Sequence, residues 1–235
     1  MNEGDFNSSI RQCLSFFEEA KLDELTYNLS SLKVCPEFND IALRPSANYQ
    51  EIYRTALALR HFNIQLTDFA LFQYSWTSAR SWRLAFFPNP WITGVPDAID
   101  KLTELREFLE AGVITTEEFL DHIADGFDYH HSVPMFRFEY SESQYREVVH
   151  PASHFHIGTL GNDRWAWRRK LSPLSFSMMM VRMYYPHIWL PRSSFQTEGV
   201  DDCWEGRLNN VLAHDGVSLE FTEYEARSVH LGAIQ

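Results

Sequence analysis

Cysteine is scarce in this chain, and the three present, Cys13, Cys35 and Cys203, are odd in number and far apart. That argues against a disulfide framework and reads as free thiols in a reducing compartment. No CxxC pair occurs, which disfavours a thiolate zinc site. No GxGxxG or GxxxxGK[ST] turn is present, so a dinucleotide-binding or P-loop fold is disfavoured. The HExxH and HxxEH zinc spacings, the GxSxG nucleophile elbow and a carboxylate-rich DxD set for magnesium are missing too. The longest apolar run is too short to span a bilayer. The opening MNEGDFNSSIRQCL lacks the basic-then-apolar pattern of a signal peptide. A cytoplasmic protein with no membrane partner is expected. There is no internal repeat and no low-complexity linker.

Apolar and aromatic material is plentiful. Hydrophobic residues make up 45% of the 235 residues and aromatic ones 15%, enough for a packed core and too much for a disordered chain. The net charge of −12 argues against a protein coated in nucleic acid. The distribution is uneven. Between Arg137 and Arg192, eight basic residues face four acidic ones, whereas acidic residues dominate Asp97 to Asp128 and the stretch from Glu198 onward. A basic centre between acidic flanks suits an anionic substrate, and equally suits an ordinary solvated surface.

Periodicity sets the expected elements. Phe6, Ile10, Cys13, Leu14, Phe16 and Phe17 have helical spacing, with Asn2 or Asp5 as cap, in a helical N-terminal segment over about 1–25. A short strand is expected over Tyr27 to Val34, a loop from Cys35-Pro36 to Pro45, and a helix over Tyr49 to His61. Alternation from Ile64 to Tyr74 predicts one strand, and Ser81 to Phe87 a second, joined by a turn at Thr77 to Arg80 and stopped by Pro88-Asn89-Pro90. Pro96-Asp97 opens a helix to about Glu110. Thr115 with Glu118 forms a capping box for the next helix, which ends near Gly126. Strands follow at Phe136 to Tyr140, Tyr145 to Gly158 and Trp165 to Trp167, the last after a turn at Gly161-Asn162-Asp163. Ser172-Pro173 then starts a methionine-rich helix that stops before Pro186. His214-Asp215-Gly216 reads as a hairpin turn after Val211, in the less regular segment of about 195–235. Strands in hairpin pairs mixed with helices predict an α+β fold, a single domain over 1–235 with an antiparallel sheet and helices packed on it.

The chemistry concentrates in His150-Pro151-Ala152-Ser153-His154-Phe155-His156-Ile157-Gly158, which holds three of the ten histidines. His154 and His156 are two apart, so on a strand they share a face. If this strand pairs with Phe136 to Tyr140, Arg137 and Glu139 could share that face. One histidine would then act as base and another as acid, with Arg137 stabilising charge on a phosphate. Alternatively, His154 and His156 with His150 or Glu139 would hold zinc or another divalent ion. A third alternative is structural, with the imidazoles hydrogen-bonded inside the sheet. Lesser candidates are His130-His131 in a loop, and Trp165-Ala166-Trp167-Arg168-Arg169 as a base-stacking strand. Ser153 lacks an elbow, and the acidic neighbours of Cys203 oppose a nucleophilic thiolate.

The segments DFALFQYSW, RLAFFPNPW, FRFEY, HPASHFHIG and LSPLSFSMMMVRMYYP together resemble an uncharacterised bacterial domain family of unknown function, over roughly Phe62 to Trp189. The His-rich strand is the most specific part. More loosely, the order of FRFEY, His-rich strand and helix is similar to small toxins of toxin–antitoxin pairs. The resemblance implies a toxin-like or defence-related prokaryotic protein and transfers no catalytic residue. The leading expectation is a nuclease or other phosphodiester-acting enzyme. It would use His154 and His156, supported by His150, Arg137 and Glu139, on nucleic acid or another phosphate substrate, with a divalent metal ion as candidate cofactor. The alternative is a non-catalytic protein-binding component of a defence or toxin–antitoxin complex.

Overall fold

A computed structural model describes residues 1–44, 46–93, 103–127, 134–147, 149–159, 163–193, 203–218 and 222–223. Seven strands pair in strict chain order, every pair antiparallel: β1 (Asp23–Thr26), β2 (Ile64–Leu66), β3 (Leu71–Ser78), β4 (Ser81–Phe87), β5 (Phe136–Ser141), β6 (Ser153–Ile157) and β7 (Trp165–Ala166). The described helices are α1 (Glu3–Ala20), α2 (Pro36–Ala42), α3 (Tyr49–Ala58), α4 (Thr103–Glu110), α5 (Thr116–Gly126), α6 (Pro173–Tyr184), α7 (Pro186–Ser193) and α8 (Trp204–His214). The architecture is α+β: an open antiparallel meander with helices packed on it. No helix among the described residues is long and apolar enough to cross a membrane.

Side-chain alternation divides the sheet into two faces. On one face Phe72, Tyr74, Leu84, Phe86, Phe138 and Phe155 pack with the buried stripe of α1 (Phe6, Ile10, Cys13, Phe17) and with Phe176 and Met180 of α6. On the other face Leu71, Ala85, Phe87 and Met135 pack with Phe38 of α2, Tyr53 of α3 and Phe119 of α5. Toward β5 and β6 this second face turns polar, and the candidate site lies there.

Caps mark the helix starts. Asn2 accepts from the Asp5 amide, and Thr115 with Glu118 forms the expected capping box of α5. Ser172 and Ser175 do the same for α6, ahead of Pro173 at its first turn. Met178 and Met180 of α6 join the core, whereas Met183 is exposed.

Several expected elements differ. The first strand precedes Tyr27 rather than following it, because Lys21 takes a left-handed conformation (φ 58°) and turns the chain straight off α1. The expected loop after Cys35 contains α2, with Pro36 in its first turn, where a missing amide hydrogen costs nothing. The helix from Tyr49 ends at Ala58, three residues before His61. The alternating run from Ile64 to Tyr74 is two strands, not one. Asp68 Oδ1 accepts from the Ala70 amide and Phe69 sits at φ 65°, which closes a hairpin that alternation does not reveal. The strand expected from Tyr145 is confined to Ser153–Ile157, because Arg146 and His150 exchange both backbone bonds and close a turn. The segment up to His214 is helix α8, anchored by buried Trp204 and Leu208, so His214-Asp215-Gly216 follows a helix and not a strand. The expected start at Pro96-Asp97, His130-His131, and Gly161-Asn162 lie outside the described residues.

The Asp68 turn ties both faces together. Its Oδ2 accepts from Thr93 Oγ1 at 2.7 Å and from the Tyr185 hydroxyl at 2.8 Å, while Tyr53 of α3 donates to the Phe69 carbonyl at 2.8 Å. Asp68 is buried, so replacing it with alanine orphans three donors at once. Each orphan costs about 1–3 kcal/mol, partly relieved by relaxation. Asp68→Ala should therefore lower stability by about 3 kcal/mol in urea unfolding. A midpoint unchanged from wild type would contradict this role.

Candidate functional site

The β5–β6 register places Arg137 opposite His156 and Glu139 opposite His154. Arg83 of β4 lies opposite Glu139 on its other side. Period-two alternation then brings Arg83, Arg137, Glu139, His154 and His156 to one face, while Phe136, Phe138, Tyr140 and Phe155 point the other way into the aromatic core.

Glu139 is the hub. Its Oε1 forms ion pairs with Arg137 Nε at 2.9 Å and Arg83 Nε at 3.0 Å, although Arg137 Nε is not aligned for a hydrogen bond. Burial works to raise the Glu139 pKa, but the two guanidiniums outweigh it and hold the carboxyl below its usual range. The two arginines differ in access: the Arg83 side chain is 54% exposed and that of Arg137 22%.

The histidines lie deeper. His154 Nδ1 is 2.8 Å from the Pro151 carbonyl oxygen. A carbonyl only accepts, so Nδ1 carries the proton and Nε2 presents its lone pair. That lone pair meets His156 Nε2 at 3.1 Å. His156 Nδ1 and His150 Nε2 are buried without a hydrogen-bond partner. Burial, opposed by Glu139, pushes the His154 pKa down to about 4; burial with Arg137 pushes that of His156 down to about 3. Burial and then Arg164 lower that of His150 as well. All three rings are therefore neutral at pH 7.

Ligand-type atoms of Glu139, His154 and His156 lie within 4.8 Å of one another. His150 stands beside this group and not in it, its ring edge-on to that of His154 with centroids 5.0 Å apart. Zinc holds nitrogens at about 2.0–2.1 Å, so two of them at the tetrahedral angle sit roughly 3.3 Å apart. The observed 3.1 Å between the two Nε2 atoms is close to that edge length. A metal-binding histidine usually donates its other N–H to a carbonyl or carboxylate, as His154 does to Pro151. Two imidazoles and one carboxylate suit zinc or another divalent first-row metal.

Next to Glu139 and Arg83 the same face opens into a cleft of about 570 Å³, lined in part by Phe38, Asn39, Gln73 and Ser75. The strand considered for base stacking is β7, at the far edge from the cleft. Trp165 pairs with Phe155 and is 40% exposed, while Trp167 packs on Phe155. Arg83 was missed by sequence reading. Its only signal was the alternation of Trp82, Arg83 and Leu84, and its meeting with Glu139 depends on β4 pairing with β5 across the long segment between them.

The molecule is thus an α+β protein with a meander sheet that gathers two histidines, a carboxylate and two guanidiniums on one face. The chain belongs to the family of uncharacterized conserved proteins DUF2290, which it matches over residues 17–233. No curated protein and no solved structure matches it.

The neutral histidines give the metal-free protein a defined acid sensitivity. Their folded pKa values lie below the 6.5 of an ordinary histidine, so the unfolded chain binds more protons as pH falls. Stability should be fully present above pH 6.5 and decline toward about pH 4, by on the order of 2 kcal/mol per ring after solvent screening. Chelator-treated protein, unfolded in urea from pH 7.5 to 4.5, should show this decline, and His154→Gln/His156→Gln should flatten it. A wild-type profile that is flat or rises toward acid would refute it.

Proposed function

We propose that the protein is a metal-dependent hydrolase of phosphate esters, with the ion held by Glu139, His154 and His156. The observation that carries this reading is the convergence of the two Nε2 atoms and the carboxylate, with the His154 tautomer set by the Pro151 carbonyl so that its lone pair faces the group. A divalent cation lowers the pKa of a bound water and polarises a phosphoryl oxygen. Held by Glu139, His154 and His156, such an ion would supply a hydroxide to attack phosphorus as the ester P–O bond breaks, and the departing oxygen would take up a proton. Arg137 supplies positive charge beside Glu139, where a phosphoryl group would develop negative charge. His150, neutral and with an unpartnered Nε2, is placed to relay the proton. A nuclease is one member of this class. A toxin-like or defence-related setting rests on the resemblance alone.

One observation favours a structural role instead: His154 is fully buried and His156 3% exposed, so no large substrate touches the rings themselves. In the metal reading that depth is no obstacle, because Glu139 and Arg83 border the open cleft and the substrate approaches from their side. A docking protein finds less support, since the edge strands β1 and β7 span only four and two residues.

Elemental analysis of protein purified without a histidine tag should find about one divalent metal per chain. His154→Ala/His156→Ala should lose it while keeping its circular dichroism, and should lose hydrolysis of bis(p-nitrophenyl) phosphate. Because removing two buried rings leaves a cavity, Glu139→Gln serves as a second variant that preserves volume. Absence of metal from wild type after zinc or manganese loading, or full metal content in both variants, would refute the reading.

A further inference from the structure

The two guanidiniums on Glu139 pose an electrostatic problem. Two guanidiniums meet one carboxylate on this face, and Arg164 adds positive charge that acts on Arg137 and on His156. A divalent ion adds two more positive charges in a region where Glu139 and Arg137 are largely withdrawn from water. Like charges at such separations are costly in a partly buried site. An anion that bridges the metal and an arginine removes the repulsion. The arginines divide this task by access. Arg137 is the more buried and stays on Glu139, whereas Arg83 is more than half exposed and faces the cleft. Both guanidinium contacts fall on Oε1 of Glu139, so the carboxylate keeps Arg137 if Arg83 swings away.

The cleft bounds the size of what Arg83 meets. Its volume of about 570 Å³ falls within the range of small-molecule sites, roughly 300–1,000 Å³. Asn39, Gln73 and Ser75 supply neutral hydrogen-bonding groups, and Phe38 an apolar wall. The chain as a whole carries −12, which disfavours a long polyanion. We propose that Arg83 anchors a phosphoryl oxyanion of a compact phosphate ester in this cleft, and that metal and oxyanion bind cooperatively. This rests on the metal reading given under Proposed function.

Calorimetric titration of zinc into the full chain, with and without phenylphosphonate as a non-hydrolysable oxyanion, tests it. Phenylphosphonate should tighten zinc binding by about tenfold, and zinc should tighten phenylphosphonate by the same factor, because coupling between binding sites is reciprocal. Arg83→Gln should bind zinc alone at least as tightly as wild type, since one repelling charge is gone, yet lose the enhancement. Arg83→Lys should recover part of it. In hydrolysis, Arg83→Gln should raise KM for a small phosphodiester far more than it lowers kcat. Zinc binding that phenylphosphonate leaves unchanged, or an enhancement that survives in Arg83→Gln, would overturn the proposal while leaving the metal site standing. Cleavage of single-stranded RNA with no turnover of small esters would overturn its compact-substrate part. Failure of zinc to bind under either condition would remove the metal reading and this proposal together.

Discussion

A slip of β6 by one residue against β5 would exchange the two faces of that strand. Phe155 would leave the aromatic core, and His154 and His156 would enter it, because β5 is held in place by its pairing with β4. Burying two unpaired imidazoles against apolar rings, and parting them from Glu139 and the Pro151 carbonyl, is costlier than any gain the slipped pairing offers. The aromatic alternation therefore fixes the register, and the register fixes which polar groups meet. Phe138 and Phe155, 5.4 Å apart between ring centroids, hold the strands from the core side while Glu139 and His154 face each other on the opposite side.

The site depends on a second layer of constraint. Pro151 precedes β6 and its carbonyl sets the His154 tautomer; the closed turn between Arg146 and His150 presents that carbonyl. Arg83 arrives from β4, and Arg137 and Glu139 from β5. Each group belongs to a paired strand or to a turn stapled at both ends. Geometry of this kind changes little on binding, which suits a site where two nitrogens and a carboxylate must converge on one ion. The local field is also distinct from the whole. An acidic chain concentrates cationic groups at the one place where a carboxylate and two neutral imidazoles converge.

Sequence pattern revealed the parts of this arrangement that depend on period two. Arg-x-Glu and His-x-His each declare a face, and the α+β class followed from hairpin-paired strands mixed with helices. It could not reveal what depends on three dimensions. Arg83 looks like an ordinary outward-facing arginine until β4 is placed beside β5. The hairpin at Asp68 hides inside an unbroken apolar alternation, because the turn is made by a side-chain oxygen and a left-handed phenylalanine and not by glycine or asparagine. Helix α2 was masked by Cys35-Pro36, since proline both ends and begins helices. His214-Asp215-Gly216 carries a hairpin-type turn signal, yet the buried ring of Trp204 and side chain of Leu208 decide for a helix before it.

The central claim is that Glu139, His154 and His156 converge on a cation. Anomalous diffraction at the zinc edge, from crystals grown with zinc, tests it most directly. The account predicts one strong peak on this sheet face, about 2.0–2.2 Å from both Nε2 atoms and from a Glu139 carboxylate oxygen. A zinc-saturated crystal with no peak there, and with the two Nε2 atoms still hydrogen-bonded to each other, would contradict it.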